Sequence, residues 1–516
     1  MRVNPPGGVS RRTLFRAGVV AVGATVGTLP GTGFGLVRSG RPVLTHGVQS
    51  GDVAPGSAVV WTRADRPGRM MVQVSHSPSF QRSWTVPGPV VTPDSDFTGK
   101  VRLTGLPSTA GVHYRVTVED LDSRLASEPL VGSFRTAPRN RRGIRFVWSA
   151  DICGQGWGIN PDLGGMTIFE RMRSLHPDFF LCGGDTVYSD NPLRETVTLP
   201  DGRVWRNLVT PAKSKVAETL DEFRGQFGYN LLDEHLRRFA AEVPMINQWD
   251  DHEVLNNWSP GVEVTDPRYT ERRIDVLAAR AKQAFHEWLP LNPAPADPNG
   301  RIYRKIPYGP LLDVFVLDMR TYKDPNGSNS YTDPSQGLLG AEQRDWLIRE
   351  LSTSTATWKV IANDLPIGLV VSAGSGRYEG VAQEDHGPPL GRELQLAEVL
   401  QAAHRNGVTG IVFLTADVHY TAAHHYDPAR AAIGGFSPFW EFVTGPLHAG
   451  GFGPHRLDRT FGPEVRFQQA PPRANWPPWD GHQYFGEVEI DGDTGVMTVR
   501  LRDQDSRVLY SVDLDP

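Results

Sequence analysis

Phe179-Phe180-Leu181-Cys182-Gly183-Gly184-Asp185-Thr186-Val187-Tyr188 is the stretch that decides the fold. Four consecutive apolar residues are too few for a helix and suit a strand buried on both faces. Two glycines end the run, and a carboxylate and a phenol follow at once. The same pattern recurs on either side. Residues 145–150 run into Asp151-Ile152-Cys153-Gly154-Gln155, and 244–248 into Trp249-Asp250-Asp251-His252-Glu253. Residues 358–362 end in Asn363-Asp364, and 411–415 in Ala416-Asp417-Val418-His419. A further apolar run covers 312–317. Helical periodicity lies between them. Met166, Phe169, Met172 and Leu175 share a face, one helix is expected around 216–239, and Leu396, Val399, Leu400 and Ala403 stand at i, i+3, i+4 and i+7 before an Asn406-Gly407 stop. Strands alternating with helices make this an α/β domain.

Ligand sites in such sheets lie outside the carboxyl ends of the strands. Five polar strand ends on one edge gather Asp151, Asp185, Asp250, Asp251 and Asp417. Carboxylates crowded there repel one another and are costly to bury, a penalty that bound cations remove. Of 15 histidines, only His252 and His419 stand at strand ends. Hard oxygen donors with imidazole suit Fe, Mn, Zn or Ca.

Composition narrows the function. The chain has 516 residues, 53 Lys plus Arg against 58 Asp plus Glu, and a net charge of −5, which argues against a dedicated nucleic-acid binder. Only 2 cysteines exclude a disulfide scaffold, and a mean hydropathy of −0.35 excludes a multi-span membrane protein. Residues 43–138 carry only β signals. Within them Leu103-Thr104-Gly105-Leu106 and His113-Tyr114-Arg115-Val116 resemble the corner of a fibronectin type III sandwich. Arg135, Arg139, Arg141, Arg142 and Arg145 then form a basic linker without interleaved aromatics, read as solvated. At the start, Ser10-Arg11-Arg12-Thr13-Leu14-Phe15 precedes a 13-residue weakly apolar stretch, Ala17 to Leu29, and Pro30. This order resembles a twin-arginine export signal over 1–40 and is too short to anchor in a bilayer.

The series Asp, Gly-Asp-x-x-Tyr, Asp-His-Glu, Asn and Asp-x-His resembles the calcineurin-like metallophosphoesterases. Gly184-Asp185-x-x-Tyr188 is similar to the purple acid phosphatase version. Trp249-Asp250-Asp251-His252-Glu253, Leu317-Asp318-Met319-Arg320-Thr321-Tyr322, the sandwich in front and the twin-arginine signal resemble the alkaline phosphatase D (PhoD-like) family. The resemblance implies a four-layer αββα sandwich over 143–516, preceded by the fibronectin type III-like domain. It implies a first metal held by Asp151, Asp185, Tyr188 and His419, and a second by Asp185 as bridge with Asp251, Asn363 and Asp417. His252 would act on the phosphoryl group as acid or stabiliser, and Arg320 would bind phosphate oxygens. The expected ions are Fe(III) and Ca(II), with Zn, Mn or Mg as alternatives.

Three positions depart from the family pattern. Asp151 stands where many members have a cysteine, so Asp151 or Cys153 is the first-metal ligand. Asp417 replaces a common histidine, which makes the second site harder. Asn363 also replaces histidine, with Asp364 as an equal candidate. The implied activity is hydrolysis of phosphomonoesters or phosphodiesters, from small esters to phosphodiester polymers. The alternatives are a purple-acid-type monoesterase or a non-catalytic metal-binding envelope protein. Export by the twin-arginine translocase would put the mature chain, without a membrane span, in the periplasm, cell wall or medium. Simpler roles suit other residues. Cys182 reads as a small core residue, Asn256 and Asn257 as caps, and Trp249 and Trp258 as packing. His176 and His404 read as surface or capping residues, while His424, His425 and His448 lie at the surface or line the pocket. Alternating residues from Phe485 onward, among them Val488, Ile490, Val496, Val499 and Leu501, read as strands of a second sheet.

Overall fold

Alternation along each central strand builds the layers. Phe146 and Trp148, and Phe179 and Leu181, point one way into a core shared with Val314, Val360 and Val412. Val147, Phe180 and Cys182 point the other way, onto helices carrying Phe223, Phe227, Leu277 and Phe285. The second sheet does the same: Phe315, Ile361 and Phe413 face outward onto helices carrying Trp346, Leu347, Leu396 and Leu400. Side chains alternate across a strand, so runs apolar at every position are covered on both faces. Each such buried side chain is worth roughly 1.5–3 kcal/mol. The result is helix, sheet, sheet, helix. This computed structural model describes residues 40–516 apart from 109–110, 293–299 and 336. The twin-arginine segment lies outside the described residues. No described helix is long and apolar enough to cross a membrane.

The first sheet has nine strands, in the order Val508–Leu514, Met497–Asp503, Tyr484–Ile490, Ile144–Ser149, Phe179–Cys182, Met245–Asn247, Leu44–Ala54, Ser57–Ala64 and Thr98–Thr104. The second has seven, with Leu312–Val316, Trp358–Ala362 and Ile411–Thr415 parallel at its centre. A four-stranded sheet, Ser83–Val91, Gly68–Ser75, Gly111–Asp120 and Leu130–Arg135, closes the front β-sandwich. The other half of that sandwich is the end of the nine-stranded sheet. The junction is the parallel pairing of Gly51 with Met245. A Cβ on Gly51 would sit 2.6 Å from the carbonyl oxygens of both Met245 and Pro290, so only glycine fits the junction.

The Tyr114 hydroxyl at the sandwich corner donates to the Ala241 carbonyl at 3.3 Å, tying the sandwich to the catalytic layers. Two expectations change here. The single helix expected around 216–239 is two, Leu220–Asn230 and Glu234–Glu242. Asp233 stops the first by capping the second, accepting from Leu236 N at 3.0 Å and from Met166 N at 2.9 Å. The strands after 484 do not form a second sheet. Tyr484–Ile490 pairs antiparallel with Ile144–Ser149, placing Val488 and Ile490 in the same core as Phe146.

Candidate metal centre

The carboxyl ends of both sheets meet at one buried cluster. Five non-glycine residues there lie in the left-handed region: Asp151, Cys153, Asp185, Asp417 and His419, at φ 66°, 62°, 46°, 67° and 59°. Such conformations cost on the order of 1 kcal/mol or more each and concentrate at functional sites. Three groups of ligand atoms, each within 4.8 Å of one another, form a chain: Asp151–Asp185–His419, Asp185–Asp251–His252 and Asp250–Asp251–Asp417. Asp185 belongs to the first two and Asp251 to the last two.

In the first group, Tyr188 Oη lies 2.9 Å from His419 Nε2 and 3.4 Å from Asp151 Oδ1. His419 Nδ1 donates to the Gly450 carbonyl at 2.5 Å, which fixes the tautomer and turns the Nε2 lone pair to the cluster. Asp151 Oδ2 is buried without a hydrogen-bond partner, and a Cβ on Gly445 would fall 2.1 Å from it. Asp251 Oδ1 and Asn363 Oδ1 are likewise buried without a hydrogen-bond partner. Asn363 gives its Nδ2 to the Leu365 carbonyl at 2.7 Å. Buried polar atoms are nearly always paired, and lone carboxylate oxygens gathered with other ligand groups fit an ion site. Metal-binding clusters are therefore present, and their oxygen-rich donors with one imidazole fit hard cations.

Electrostatics agree. Burial, with the neighbouring carboxylates, pushes Asp151 and Asp185 far above the usual range. Burial lifts Asp250 to about 6 even beside Arg320. Asp417 and Asp364 also rise far, from burial and then Asp250. Asp251 and Glu379 fall below the ordinary value, because Arg320 outweighs their burial, helped by His252 for the first and Lys323 for the second. Burial holds His419 down at about 4, which favours the neutral imidazole. A bound cation inverts the penalty on the raised carboxylates.

Residues 146–501 match the PhoD-like phosphatase family, and 34–138 match its N-terminal domain. The chain belongs to the PhoD-like phosphatase family. It is a phosphoric ester hydrolase. Alkaline phosphatase D of Bacillus subtilis (strain 168) is 27% identical over 433 residues, 79% of this chain and 70% of that protein. Among solved structures, PhoD superposes with a TM-score of 0.70 at 21% identity, covering 93% of this chain and 90% of its own. A purple acid phosphatase from yellow lupin (Lupinus luteus) seeds gives 0.57 at 11% identity, covering 93% and 75%. These two likenesses show a shared fold.

Most of the expected family residues converge. Asp151, Asp185, Tyr188, Asp251, Asp417 and His419 reach the cluster, and Asn363 follows the strand Trp358–Ala362 with its Oδ1 buried and unpaired. Cys153 does not. Its thiol lies 3.5 Å from Met166 Sδ within the helix-side core, where burial pushes it up, and it joins none of the ligand groups. Cys182 contacts Thr186 Oγ1 at 3.5 Å, and both thiols are free. Asp364 is taken by Gln248, at 3.1 Å, and by Arg320, at 3.2 Å. Arg320 does not reach substrate space. It is fully buried, its Nε on Asp250, Nη1 on Glu379 and Nη2 on Asp417 at 2.9 Å. His448 and His424 are buried, on the Gly158 carbonyl and beside Glu441.

Beside the cluster opens a cleft of about 590 Å³, lined by His252, Asp190, Asn256, Asn257, Trp258 and Arg377 among others. His252 stacks on Tyr188, centroids 4.3 Å apart, and its Nδ1 lies 2.7 Å from Asp190 Oδ1. Burial opposes a charged His252, but Asp190 and Asp251 outweigh it and lift it to about 9. Asp190, two residues after Tyr188, carries no motif of its own in the sequence, and Glu253 stands out there only within Trp249-Asp250-Asp251-His252-Glu253. Glu253 accepts the backbone N–H groups of Asp185 at 3.2 Å, Thr186 at 2.6 Å and Asp250 at 2.8 Å, clamping two loops together. Glu379 and Lys323 carry no local signal.

Proposed function

We propose that this chain is an exported, two-metal phosphoesterase that hydrolyses phosphomonoesters and phosphodiesters, with Asp185 shared between the two ions. The observation that carries this is the linked pair of ligand groups meeting at Asp185, with unpartnered buried oxygens on Asp151, Asp251 and Asn363. Asp151, Asp185, Tyr188 and His419 would hold the first ion, and a phenolate with carboxylates and imidazole suits Fe(III). Asp185, Asp251, Asn363 and Asp417 would hold the second, and an all-oxygen set suits Ca(II), with Mg, Mn or Zn as the alternatives. When bound, the ions neutralise charge on the phosphoryl oxygens and lower the pKa of the attacking water.

The side chains supply the rest. Asp190 holds His252 Nδ1, so Nε2 is the atom free for the cleft, where it donates a proton to the leaving oxygen. Stacking on Tyr188 fixes the ring beside the first ligand group. At about 590 Å³ the cleft has room for the alcohol half of a small diester. Twin-arginine export would deliver the folded protein to the periplasm, cell wall or medium, and Arg11→Lys with Arg12→Lys should trap it inside. Family membership sets aside a non-catalytic envelope protein. A purple-acid-type monoesterase is the remaining rival.

An aryl phosphate and its diester, assayed with Fe and Ca supplied, test the reading. Turnover of both supports it, and turnover of the monoester alone favours the rival. A tyrosinate on ferric iron is coloured. A colourless holoprotein without iron by elemental analysis refutes the Fe(III) assignment.

A further inference from the structure

The cleft beside the cluster carries charge of its own. Its charged and titratable walls are Asp190, His252, Glu263, Asp266, Arg268 and Arg377. Four of these are matched to one another. His252 Nδ1 lies 2.7 Å from Asp190 Oδ1, and Arg268 pairs with Asp266 at 2.6 Å while donating to the Asp190 carbonyl at 3.1 Å. Glu263 is exposed, with its backbone bridged to Arg273. Arg377 differs from Arg268. It is exposed, its Nη2 donates to the Ala373 carbonyl of its own turn at 3.2 Å, and no carboxylate pairs with it among the described residues. A guanidinium has five N–H donors, so most of this fork is left for a ligand.

The turn that presents Arg377 is braced. Ser372 pairs antiparallel with Tyr378, Ala373 N donates to the Arg377 carbonyl at 2.9 Å, and Arg377 N donates to the Gly374 carbonyl at 3.0 Å. Gly374 and Gly376 take φ of 84° and 71°, which lets the chain reverse in so few residues. Behind the turn lies buried Arg392. Its Nη1 donates to the carbonyls of Tyr378, Glu379 and Gly380, each at 3.0 Å. Its Nη2 donates to Asn326 Oδ1 at 3.0 Å, Asn326 Nδ2 to the Asn257 carbonyl at 2.9 Å, and Asn257 N to Asp251 Oδ2 at 2.5 Å. One buried arginine thus ties the turn to the cleft wall and, through two asparagines, to a carboxylate of the cluster. Glu379, held by Arg320 and Lys323, stands two residues beyond Arg377, a span of at most about 7 Å along the chain.

Resting on the phosphoesterase reading above, we infer that Arg377 is a specificity residue of the cleft, binding a second oxyanion carried on the alcohol half of the substrate. His252 serves the leaving oxygen from the same cleft, so the departing alcohol lies along the walls that Arg377 shares. The planar fork of a guanidinium matches the paired oxygens of a carboxylate or phosphate. A neutral alcohol lacks this contact. The contact is distant from the bond that breaks, so it acts alike on the bound substrate and the transition state and appears in KM.

The test uses two esters that differ by one carboxylate on the leaving phenol, phenyl phosphate and 3-carboxyphenyl phosphate. Phosphate release is measured for full-chain wild type, Arg377→Ala and Arg377→Glu, each purified with Fe and Ca supplied. Comparing the ratio of the two esters between chains cancels the electronic effect of the carboxylate on the phenol. In Arg377→Ala, KM for the carboxyphenyl ester should rise about fivefold more than KM for phenyl phosphate, the upper size of an exposed charge pair. Arg377→Glu should widen that gap, and added salt should narrow the preference of wild type. The same ratio in all three chains overturns the inference, and so does an equal loss on both esters in Arg377→Ala and Arg377→Glu. A wild type that hydrolyses neither ester defeats the phosphoesterase reading and this inference with it. Normal turnover with an unmoved ratio defeats the role of Arg377 alone.

Discussion

Two nests of buried carboxylate lie side by side at the same strand ends, and they are neutralised in opposite ways. Around Asp151, Asp185 and His419 no Arg or Lys pairs with the carboxylates among the described residues, and Asp151 keeps a buried oxygen with no hydrogen-bond partner. Around Asp250, Asp364, Glu379 and Asp417, Arg320 fills the centre and Lys323 backs Glu379. Acidity alone therefore does not mark a metal site. What separates the two is the resident cation: Asp364 Oδ2 lies 3.2 Å from Arg320, and Glu379 is held by Arg320 and Lys323, whereas the lone Asp151 Oδ2 is paired with no Arg or Lys among the described residues.

The largest expected effect breaks the open nest. Asp185→Asn should lower turnover of an aryl phosphate by more than the 10–100-fold typical of losing an outer partner of a metal ligand. Circular dichroism should stay unchanged, because the Glu253 clamp on the backbone of residue 185 remains. Full activity in that variant would refute the shared role. Next comes the filled nest. Removing one partner of a buried ion cluster costs about 3–5 kcal/mol, so Arg320→Met should melt far below wild type in ion-free buffer. An unchanged melting temperature would mean that the guanidinium compensates nothing.

Asp190→Asn should leave both nests loaded while weakening the hold on His252. A fall of about 10–100-fold in kcat with unchanged metal content is expected, and a change in metal content instead would move Asp190 into the ligand set. The smallest effect belongs to the thiol. Cys153→Ala should leave metal content and turnover at wild-type levels, with a stability loss of about 1 kcal/mol from the contact to Met166. Lost metal in this variant would restore Cys153 as a ligand.

The sequence displayed the open nest better than the filled one for a physical reason. Asp151, Asp185 and His419 each stand within four residues of a strand end, where the two-sided apolar run is visible locally. The partners of Arg320 come from four separate loops, at Asp250–Asp251, Asp364, Glu379 and Asp417. Asp250, Asp251, Asp364 and Asp417 follow strands as the open-nest ligands do, but nothing local points to Glu379 or pairs Arg320 with these carboxylates, and an arginine in such a loop reads as a phosphate binder until its neighbours are known. The same limit hid the junction of the two front layers. Gly51 looks like a turn glycine, and only its pairing with Met245 shows that the front sandwich lends a sheet to the catalytic layers. The break between the two helices at Asp233 was missed because its cap also serves Met166, which lies 67 residues earlier.

The most direct test of the central claim is the metal content of the wild-type holoprotein, titrated against its activity. Stepwise removal of metal with a chelator should abolish turnover as the count falls from two ions per chain. Both ions should return on reloading with Fe and Ca, and activity with them. A chain that keeps wild-type turnover of an aryl phosphate with one ion or none would contradict the two-ion centre.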